Sequence, residues 1–352
     1  SGLLFVQLLY FGMHTFTTMI AQLMIVSTAV ITLGVLNEKF LPSFVQIMQY
    51  IAIISLVLFI PILIRPSIAD LMIANSPVHF EIVKEPYGIR QVTHSLLLIN
   101  FTPDFPYRAR NIGPFWEAGV YGGFLVITLV INTILEKAVF TRRGMLFIIT
   151  ILTTFSTTAY LALFAFLGIY YAIKIASPLL RVASILAFAI LVSLAYSQLE
   201  FLGSKINDEV ELIAYDAQIQ GGNSRMASAY LDITELDEKN FYIFFGRGFH
   251  PENRFASANK AVQRNNGVTG LLVVWGVPFF IAYILLLKRS FKAVCKYFGA
   301  EYYLALIFVL TLMILGQSEP YFGFGFFWAL VLLYVPYELE NRRLKNDHLY
   351  PQ

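Results

Sequence analysis

Long apolar runs free of Asp, Glu, Lys and Arg follow one another along most of this chain. Many of them approach the roughly 20 residues that an α-helix needs to cross the apolar core of a bilayer. They lie near residues 44–64, 115–135, 145–173, 182–199, 265–287, 302–318 and 320–337. An apolar opening stretch over 1–37 adds either one tilted helix or a helical hairpin. The pattern predicts a series of membrane-spanning helices joined by polar segments.

The run over 145–173 allows two interpretations. One continuous helix would place Lys174 and Arg181 on the same side as the acidic stretch that begins after residue 200. A break at the polar cluster over 153–158 would instead give two short helices and return both basic residues to the opposite side. We favour the break, because every short connecting segment on that opposite side is then rich in Lys and Arg.

The basic residues indicate how the chain is oriented. About half of the 25 Lys and Arg residues fall in short connecting segments and the C-terminal tail. These are Lys39, Lys137, Arg142, Arg143, Lys174, Arg181, Lys288, Arg289, Lys292, Lys296, Arg342, Arg343 and Lys345. Two longer polar loops, about 65–114 and 200–264, share the others over a much greater length. Because cytoplasmic segments carry an excess of Lys and Arg, both loops are predicted to face away from the cytoplasm.

Composition agrees with a membrane location. Hydrophobic residues make up 58% of the 352 residues, charged residues only 13%, and the mean hydropathy is +0.68, which is far more apolar than a soluble chain. The formal charge of +3 and the scattered basic residues argue against a nucleic-acid partner. No internal repeat or barrel-like alternation is visible, so we expect an all-α, polytopic transmembrane bundle with one domain over 1–352.

Three further features of the sequence bear on the class of protein. The lone Cys295 excludes an intrachain disulfide framework. The chain opens with Ser1 and has no initiating Met, which leads us to expect a missing N-terminal part. The five His residues have no metal-like spacing, so we expect no metal site.

The end of the first loop carries candidate anion-binding residues. Arg108 and Arg110 lie shortly before Pro114, which suits the first position of a helix because that position needs no backbone N–H. Glu117 would then lie in the first turn, where the positive end of the helix dipole favours a carboxylate. Two arginines beside helix N–H groups suit a bound diphosphate. The alternative is that the arginines reach lipid headgroups and that Glu117 only caps the helix.

The second loop is longer and more polar. A turn over 221–224 precedes Arg225, and Asp232 follows at a spacing that places both residues on one helix face. Most outer basic residues are Arg, which favours forked recognition of phosphate or carboxylate groups. The remaining candidates for ligand contact in this loop are Arg247 in the turn Gly246-Arg247-Gly248, then Arg254, Arg264 and Asn265.

Two further residues are weaker candidates: His250 as a general base, and Glu319 as a side chain that could point into the site. His250 carries a side chain that titrates near neutral pH and can act as a general base. A single loop histidine is, however, more often a surface or packing residue. Glu319 lies in a short outer turn over 317–322, where Pro320 makes a simple connection between helices the favoured interpretation.

The ordered set of these residues resembles the O-antigen polymerase (Wzy-type) and O-antigen ligase superfamily. The likeness covers roughly residues 40–340. Its elements are Arg110-Asn111-x-Gly113-x-Phe115-x-Glu117-x-Gly119-x-Tyr121 at a helix start, the Thr/Ser break of the short helix pair, Arg225, Gly246-x-Gly248, and Asn265-Asn266 ahead of Gly276.

The resemblance implies a metal-independent and cofactor-independent glycosyltransferase of GT-C-like architecture, with two large periplasmic loops. It would take a glycan from undecaprenyl diphosphate on the periplasmic face of the bacterial inner membrane, and a chain-length regulator is a candidate partner. Arg225 would bind the donor diphosphate, helped by Arg110 or Arg247, and neutralise its growing charge as it leaves.

The resemblance also bears on the other site residues. Glu117 is the first candidate for the group that takes the proton from the acceptor hydroxyl, and His250 is the second. Asn111 and Tyr121 belong to the same motif as Glu117 and are expected to contact substrate.

Alternatives within and outside this superfamily differ in specific residues. Ligases carry a His-Asn pair shortly before a glycine in the helix after the large loop, whereas this chain has Asn265-Asn266 before Gly276. The missing histidine favours a polymerase over a ligase. A transporter or flippase of lipid-linked sugars is the distant alternative. Paired broken helices and buried intramembrane charges are typical of transporters, whereas this sequence predicts one break and no charge deep in an apolar run.

Overall fold

The computed structural model describes residues 2–11, 16–84, 89–96, 99–101, 110–175, 177, 179–180, 225–237, 240–248 and 266–349. About 80% of these residues are helical, so the predicted mainly helical architecture is confirmed. Two compact units are present: a middle unit, Lys39–Phe166, and a terminal unit that joins Ser1–Glu38 with Leu167–Gln352. The single transmembrane domain stays a prediction.

The described helices, in chain order, are α1 (Gly2–Phe11), α2 (Phe16–Leu36), α3 (Phe40–Ile64), α4 (Ser67–Ala74), α5 (Ala118–Glu136), α6 (Arg142–Thr153), α7 (Thr157–Lys174), α8 (Arg225–Asp237), α9 (Asn240–Phe245), α10 (Gly267–Trp275), α11 (Val277–Phe298), α12 (Tyr303–Gly316), α13 (Gly325–Leu332) and α14 (Tyr334–Leu349). Short 3-10 turns lie at Asn37–Lys39 and Tyr321–Gly323. The strands are β1 (Val78–Lys84), β2 (Ile89–Ser95) and β3 (Asn100–Phe101).

Three helical stretches in the described part of the chain are long and apolar enough to cross a membrane. They are Thr17–Ile64, Ala118–Glu136 and Thr157–Lys174. The helix α12 is apolar but shorter. These elements fall in the apolar runs that predicted membrane helices, and the predicted run over 182–199 lies outside the described residues.

The predicted break between two short helices is confirmed. Residues 154–156 separate α6 from α7, and Phe155 has a left-handed backbone with φ +46°. The hydroxyl of Thr154 donates to the carbonyl of Ile151 at 2.7 Å, and the hydroxyl of Ser156 accepts from the backbone N–H of Ala159 at 3.3 Å. Side chains of the polar cluster therefore satisfy backbone groups that a helix break leaves open.

A second break interrupts the apolar run over 265–287, and the sequence analysis did not predict it. Gly276 lies between α10 and α11 with φ +82°. A Cβ at this position would lie 2.7 Å from the carbonyl oxygen of Phe244. Both the backbone conformation and the space require glycine here. An isolated glycine is common in membrane helices, which is why the sequence alone did not indicate a break.

The first predicted loop contains a small antiparallel sheet with the strand order β1-β2-β3. Val78 of β1 lies opposite Ser95 of β2, and His94 lies opposite Phe101 of β3. Phe101 packs in a core cluster with Ile62 of α3. The all-α prediction missed this sheet, because short strands of mixed polarity give only a weak alternating pattern.

The helix α11 organises the terminal unit by packing against α12, α13 and α14. Phe291 of α11 stacks on Phe308 of α12 with ring centroids 3.5 Å apart. The hydroxyl of Ser290 donates to the carbonyl of Val331 at 2.6 Å and accepts from the backbone N–H of Tyr334 at 3.0 Å. These bonds satisfy one backbone carbonyl and one backbone N–H group at the junction between α13 and α14. One end of α11 thus adjoins Gly276, and the other carries basic residues.

Gly276→Ala is expected to lower the melting temperature of the purified protein. Alanine would place a methyl group against the Phe244 carbonyl in a backbone conformation that costs about 1–3 kcal/mol. Gly34→Ala is the matched control, because nothing lies within 4 Å of a Cβ there and alanine favours a helix. Thermal unfolding in detergent, followed by fluorescence, compares the two. Equal melting temperatures would contradict the requirement for glycine at 276.

Candidate functional site

Arg225 begins α8 and forms an ion pair with the turn that follows α12. Its Nε donates to the carbonyl oxygen of Ser318 at 3.1 Å, and its Nη2 lies 3.6 Å from Oε1 of Glu319. The side chain of Glu319 is 7% exposed and that of Arg225 is 26% exposed. The carboxylate is therefore shielded from water, while the guanidinium keeps an accessible face.

Asp232 lies about two helical turns after Arg225 on α8. Its side chain is fully buried, and Oδ2 accepts a hydrogen bond from the hydroxyl of Thr269 at 2.7 Å. This bond joins α8 to α10. A buried carboxylate is costly unless it is hydrogen-bonded, so the contact with Thr269 fixes the position of α8 and of the arginine at its start.

Asn266 holds the same turn against the N-terminus of α10. Its Oδ1 accepts from the backbone N–H of Thr269 at 3.0 Å, and its Nδ2 donates to Oε1 of Gln317 at 2.8 Å. A Cβ on the adjacent Gly267 would lie 2.1 Å from the carbonyl oxygen of Glu319. Only glycine permits this close approach. We call Arg225, Asp232, Asn266, Thr269 and Glu319 the Arg225–Glu319 cluster.

The predicted glycine turn lies at the other end of α10. Gly246 and Gly248 have φ of +71° and +75°. The backbone N–H of Arg247 donates to the carbonyl of Val273 at 2.7 Å, and that of Gly248 donates to the carbonyl of Val274 at 3.2 Å. The turn thus satisfies carbonyl groups that the end of α10 would otherwise leave open.

Arg247 itself is 3% exposed, and its guanidinium carbon lies 4.7 Å from the centroid of the Tyr242 ring. Gln7 of α1 reinforces this region by donating to the carbonyls of Phe245 and Val274 at 2.5 and 2.8 Å. Arg225 contacts the turn near the start of α10, whereas the backbone of Arg247 binds its end. A helix of 9 residues separates these ends by about 13 Å. Help from Arg247 in diphosphate binding stays a prediction.

A buried hydrogen-bond network holds the turn before α5 in the middle unit. Asn111 is 1% exposed, and its Nδ2 donates to the hydroxyls of Ser55 at 3.2 Å and Thr153 at 3.0 Å. Its Oδ1 accepts from the backbone N–H of Gly113 at 3.1 Å. The hydroxyls of Tyr121 and Ser55 lie 2.8 Å apart. Asn111 and Tyr121 therefore brace the motif, and their predicted contact with substrate stays a prediction.

The predicted start of α5 was wrong by four residues, from Pro114 to Ala118. Pro114 instead follows Gly113, whose φ of +51° belongs to a turn. Glu117 is the N-cap residue with an extended backbone, and its side chain makes no capping hydrogen bond. It is exposed, while Arg110 is half-buried. Glu117 still lies near the positive end of the helix dipole.

Several predicted site residues lie outside the described part of the chain. These are Arg108, His250, Arg254, Arg264 and Asn265. Within the described part, no group of three or more His, Cys, Asp or Glu side chains could hold a metal ion. The described residues pair Arg225 with Glu319 in the terminal unit, and Asp232 holds the helix of Arg225 against α10.

Comparisons with known proteins add no assignment. No protein-family model matches the chain, and no curated protein sequence matches it. The functional inference therefore rests on the residues and their contacts.

Asp232→Ala and Thr269→Val are each expected to lower the melting temperature, because each removes the buried hydrogen bond between α8 and α10. A hydrogen bond to a charged group contributes about 1.5–3 kcal/mol. The double variant should lose less than the sum of the single losses, since the bond is lost only once. Thr234→Val is the control, because Thr234 is exposed and bonds within α8. If the decrease in melting temperature of the double variant equals the sum of the two single decreases, the hydrogen bond between Asp232 and Thr269 is contradicted.

Proposed function

We propose that this chain is a membrane glycosyltransferase that polymerises undecaprenyl-diphosphate-linked oligosaccharide units on the periplasmic face of a bacterial inner membrane. The ordered motif residues and the distribution of basic residues support the proposal. The observation that carries it is the Arg225–Glu319 pair, in which a partly accessible guanidinium lies 3.6 Å from a shielded carboxylate. This pair offers one group to bind a diphosphate and another to accept a proton.

In the proposed reaction, Arg225 binds the diphosphate of the donor. The acceptor hydroxyl gives its proton to the Glu319 carboxylate, and its oxygen forms the new bond to the anomeric carbon of the donor sugar. The bond between that carbon and the phosphate oxygen breaks, and undecaprenyl diphosphate leaves with the bonding electron pair. Arg225 stabilises the negative charge that develops on the leaving oxygen.

Glu319 replaces Glu117 as our first candidate for the proton acceptor. A base must lie close to both the acceptor hydroxyl and the bound donor, and Glu319 adjoins the group that we assign to the diphosphate. Glu117 is an exposed N-cap residue in the middle unit. The arriving diphosphate would compete with Glu319 for the guanidinium of Arg225. The carboxylate would then be released to bind the acceptor hydroxyl.

The residue type at position 265 supports polymerisation over ligation, because Asn265 stands where ligases of the resembling superfamily carry the histidine of their His-Asn pair. The next residue, Asn266, matches the asparagine of that pair, and here its side chain caps α10 and binds Gln317. Proton transfer by a histidine at the matching Asn265 is excluded by its residue type.

A transporter of lipid-linked sugars is the second candidate function, and the break at Gly276 favours it. Apolar runs of the described chain are interrupted at 154–156 and at Gly276. Broken helices are typical of transporters, where they line the substrate site. The sequence predicts only one such break, which was an argument against transport. The second break, at Gly276, weakens that argument.

Arg225→Ala is expected to abolish glycan polymerisation in liposomes supplied with undecaprenyl-diphosphate repeat units. Loss of one group that stabilises the developing charge lowers turnover by about a hundredfold or more. Arg225→Lys should restore only part of the activity, because a lysine lacks the forked geometry of a guanidinium. The ladder of glycan lengths on a gel measures the product. Wild-type activity in Arg225→Ala would overturn the role of this residue.

Glu319→Gln tests the proton acceptor, with Glu117→Gln as its matched control. A general base contributes about a hundredfold to ten-thousandfold, so Glu319→Gln should lose most of its turnover while it still binds donor. Glu117→Gln should polymerise like the wild type. The opposite result, an inactive Glu117→Gln and an active Glu319→Gln, would return the assignment to Glu117.

The same liposomes separate polymerisation from transport. A ladder of products in which each step adds one repeat unit supports the polymerase. Movement of intact lipid-linked units across the bilayer without any longer product would support the transporter and refute the polymerase. Accessibility of the units to an added glycosidase reports that movement.

A further inference from the structure

A cavity of about 380 Å³ lies at the basic end of α11, and the proposed function does not use it. Residues from α11, α14 and the residue before α12 line it: Arg289, Lys292, Ala293, Lys296, Tyr302, Glu338 and Asn341. All of these belong to the terminal unit. The volume falls within the range of small-molecule sites, roughly 300–1,000 Å³.

The charge of the cavity is predominantly positive. Arg289, Lys292 and Lys296 follow one another at spacings of three and four residues on α11, which places them on one face of the helix. Glu338 is the one acidic residue among the lining residues in the described chain. Three cationic groups of α11 therefore line the space against a single carboxylate, which favours a ligand with negative charge.

One of these cations is held in place by the fold. Nε and Nη2 of Arg289 bind Oε1 and Oε2 of Glu338 at 2.7 and 2.8 Å, a forked pair. The guanidinium also lies 4.4 Å from the centroid of the Tyr334 ring. Asn341 donates to the carbonyl of Ala293 at 3.2 Å and keeps α14 against α11. The wall of the cavity is thus preorganised, while Lys292 and Lys296 are exposed at its edge.

We propose that this cavity binds the phosphate group of an anionic ligand, as carried by a glycerophospholipid headgroup or by a soluble phosphate compound. Phosphate oxygens accept hydrogen bonds from several converging donors, and lysine, arginine and asparagine supply them here. The general excess of Lys and Arg in cytoplasmic segments is an alternative explanation for basic residues at the end of a helix. That explanation does not account for the cavity, or for an arginine that is held by both a carboxylate and an aromatic ring.

Lipid binding to the purified wild-type protein is the direct test. Native mass spectrometry in detergent should show tighter binding of phosphatidylglycerol than of phosphatidylcholine with the same acyl chains. Lys292→Gln and Lys296→Gln should each weaken phosphatidylglycerol binding about fivefold. Lys288→Gln is the matched control, because Lys288 is a neighbour on α11 that does not line the cavity. Equal binding of both lipids would exclude the lipid headgroup as the ligand, and equal effects at 288 and 292 would overturn the site.

One further arm sharpens the result. Displacement of the lipid by added inorganic diphosphate would assign a soluble phosphate ligand, and retention would assign the lipid headgroup. None of these measurements depends on glycan polymerisation, so each can fail or succeed independently of the proposed function.

Discussion

The need to satisfy backbone polar groups at breaks in apolar helices governs the described site. A buried carbonyl or N–H group without a hydrogen-bond partner is costly, so the protein must supply partners. At the start of α10 the partner is the side chain of Asn266, and at its end the partners are the Gly246-Arg247-Gly248 turn and Gln7. Because both ends are fixed, α10 is a rigid support. Arg225 and Glu319 meet beside its first turn.

The parts of the fold that follow from local pattern were predictable. A run of hydroxyl residues over 153–158 within an apolar stretch is unusual, and these hydroxyls bind the backbone at the observed break. The break at Gly276 depends instead on the carbonyl of Phe244, which the chain brings close from a distant position. The sheet depends on pairing between short strands, and Val78 meets Ser95 only after folding. The spacing of residues along the sequence does not indicate the contact of Gly276 with Phe244 or the pairing of Val78 with Ser95.

The same distinction applies to the site. Helical spacing was enough to place Arg225 and Asp232 on one face of α8. Glu319 received little weight, because its contact with Arg225 requires a glycine at 267 that lets two backbones approach. Asn111 was noted for its place in a motif, yet its bonds to Ser55 and Thr153 give it a bracing role that needs all three segments folded together.

Two arginine–glutamate pairs described in the terminal unit differ in a way that bears on their roles. The pair of Arg289 and Glu338 is 53% and 32% exposed, and exposed pairs add little stability, so its main effect is to orient the guanidinium. In the pair of Arg225 and Glu319 the carboxylate is 7% exposed, and removing a charge from water has a substantial cost. Apolar side chains would stabilise the same junction at lower cost. This cost is the reason that we propose anion chemistry, and not a gain in stability, for the shielded ion pair.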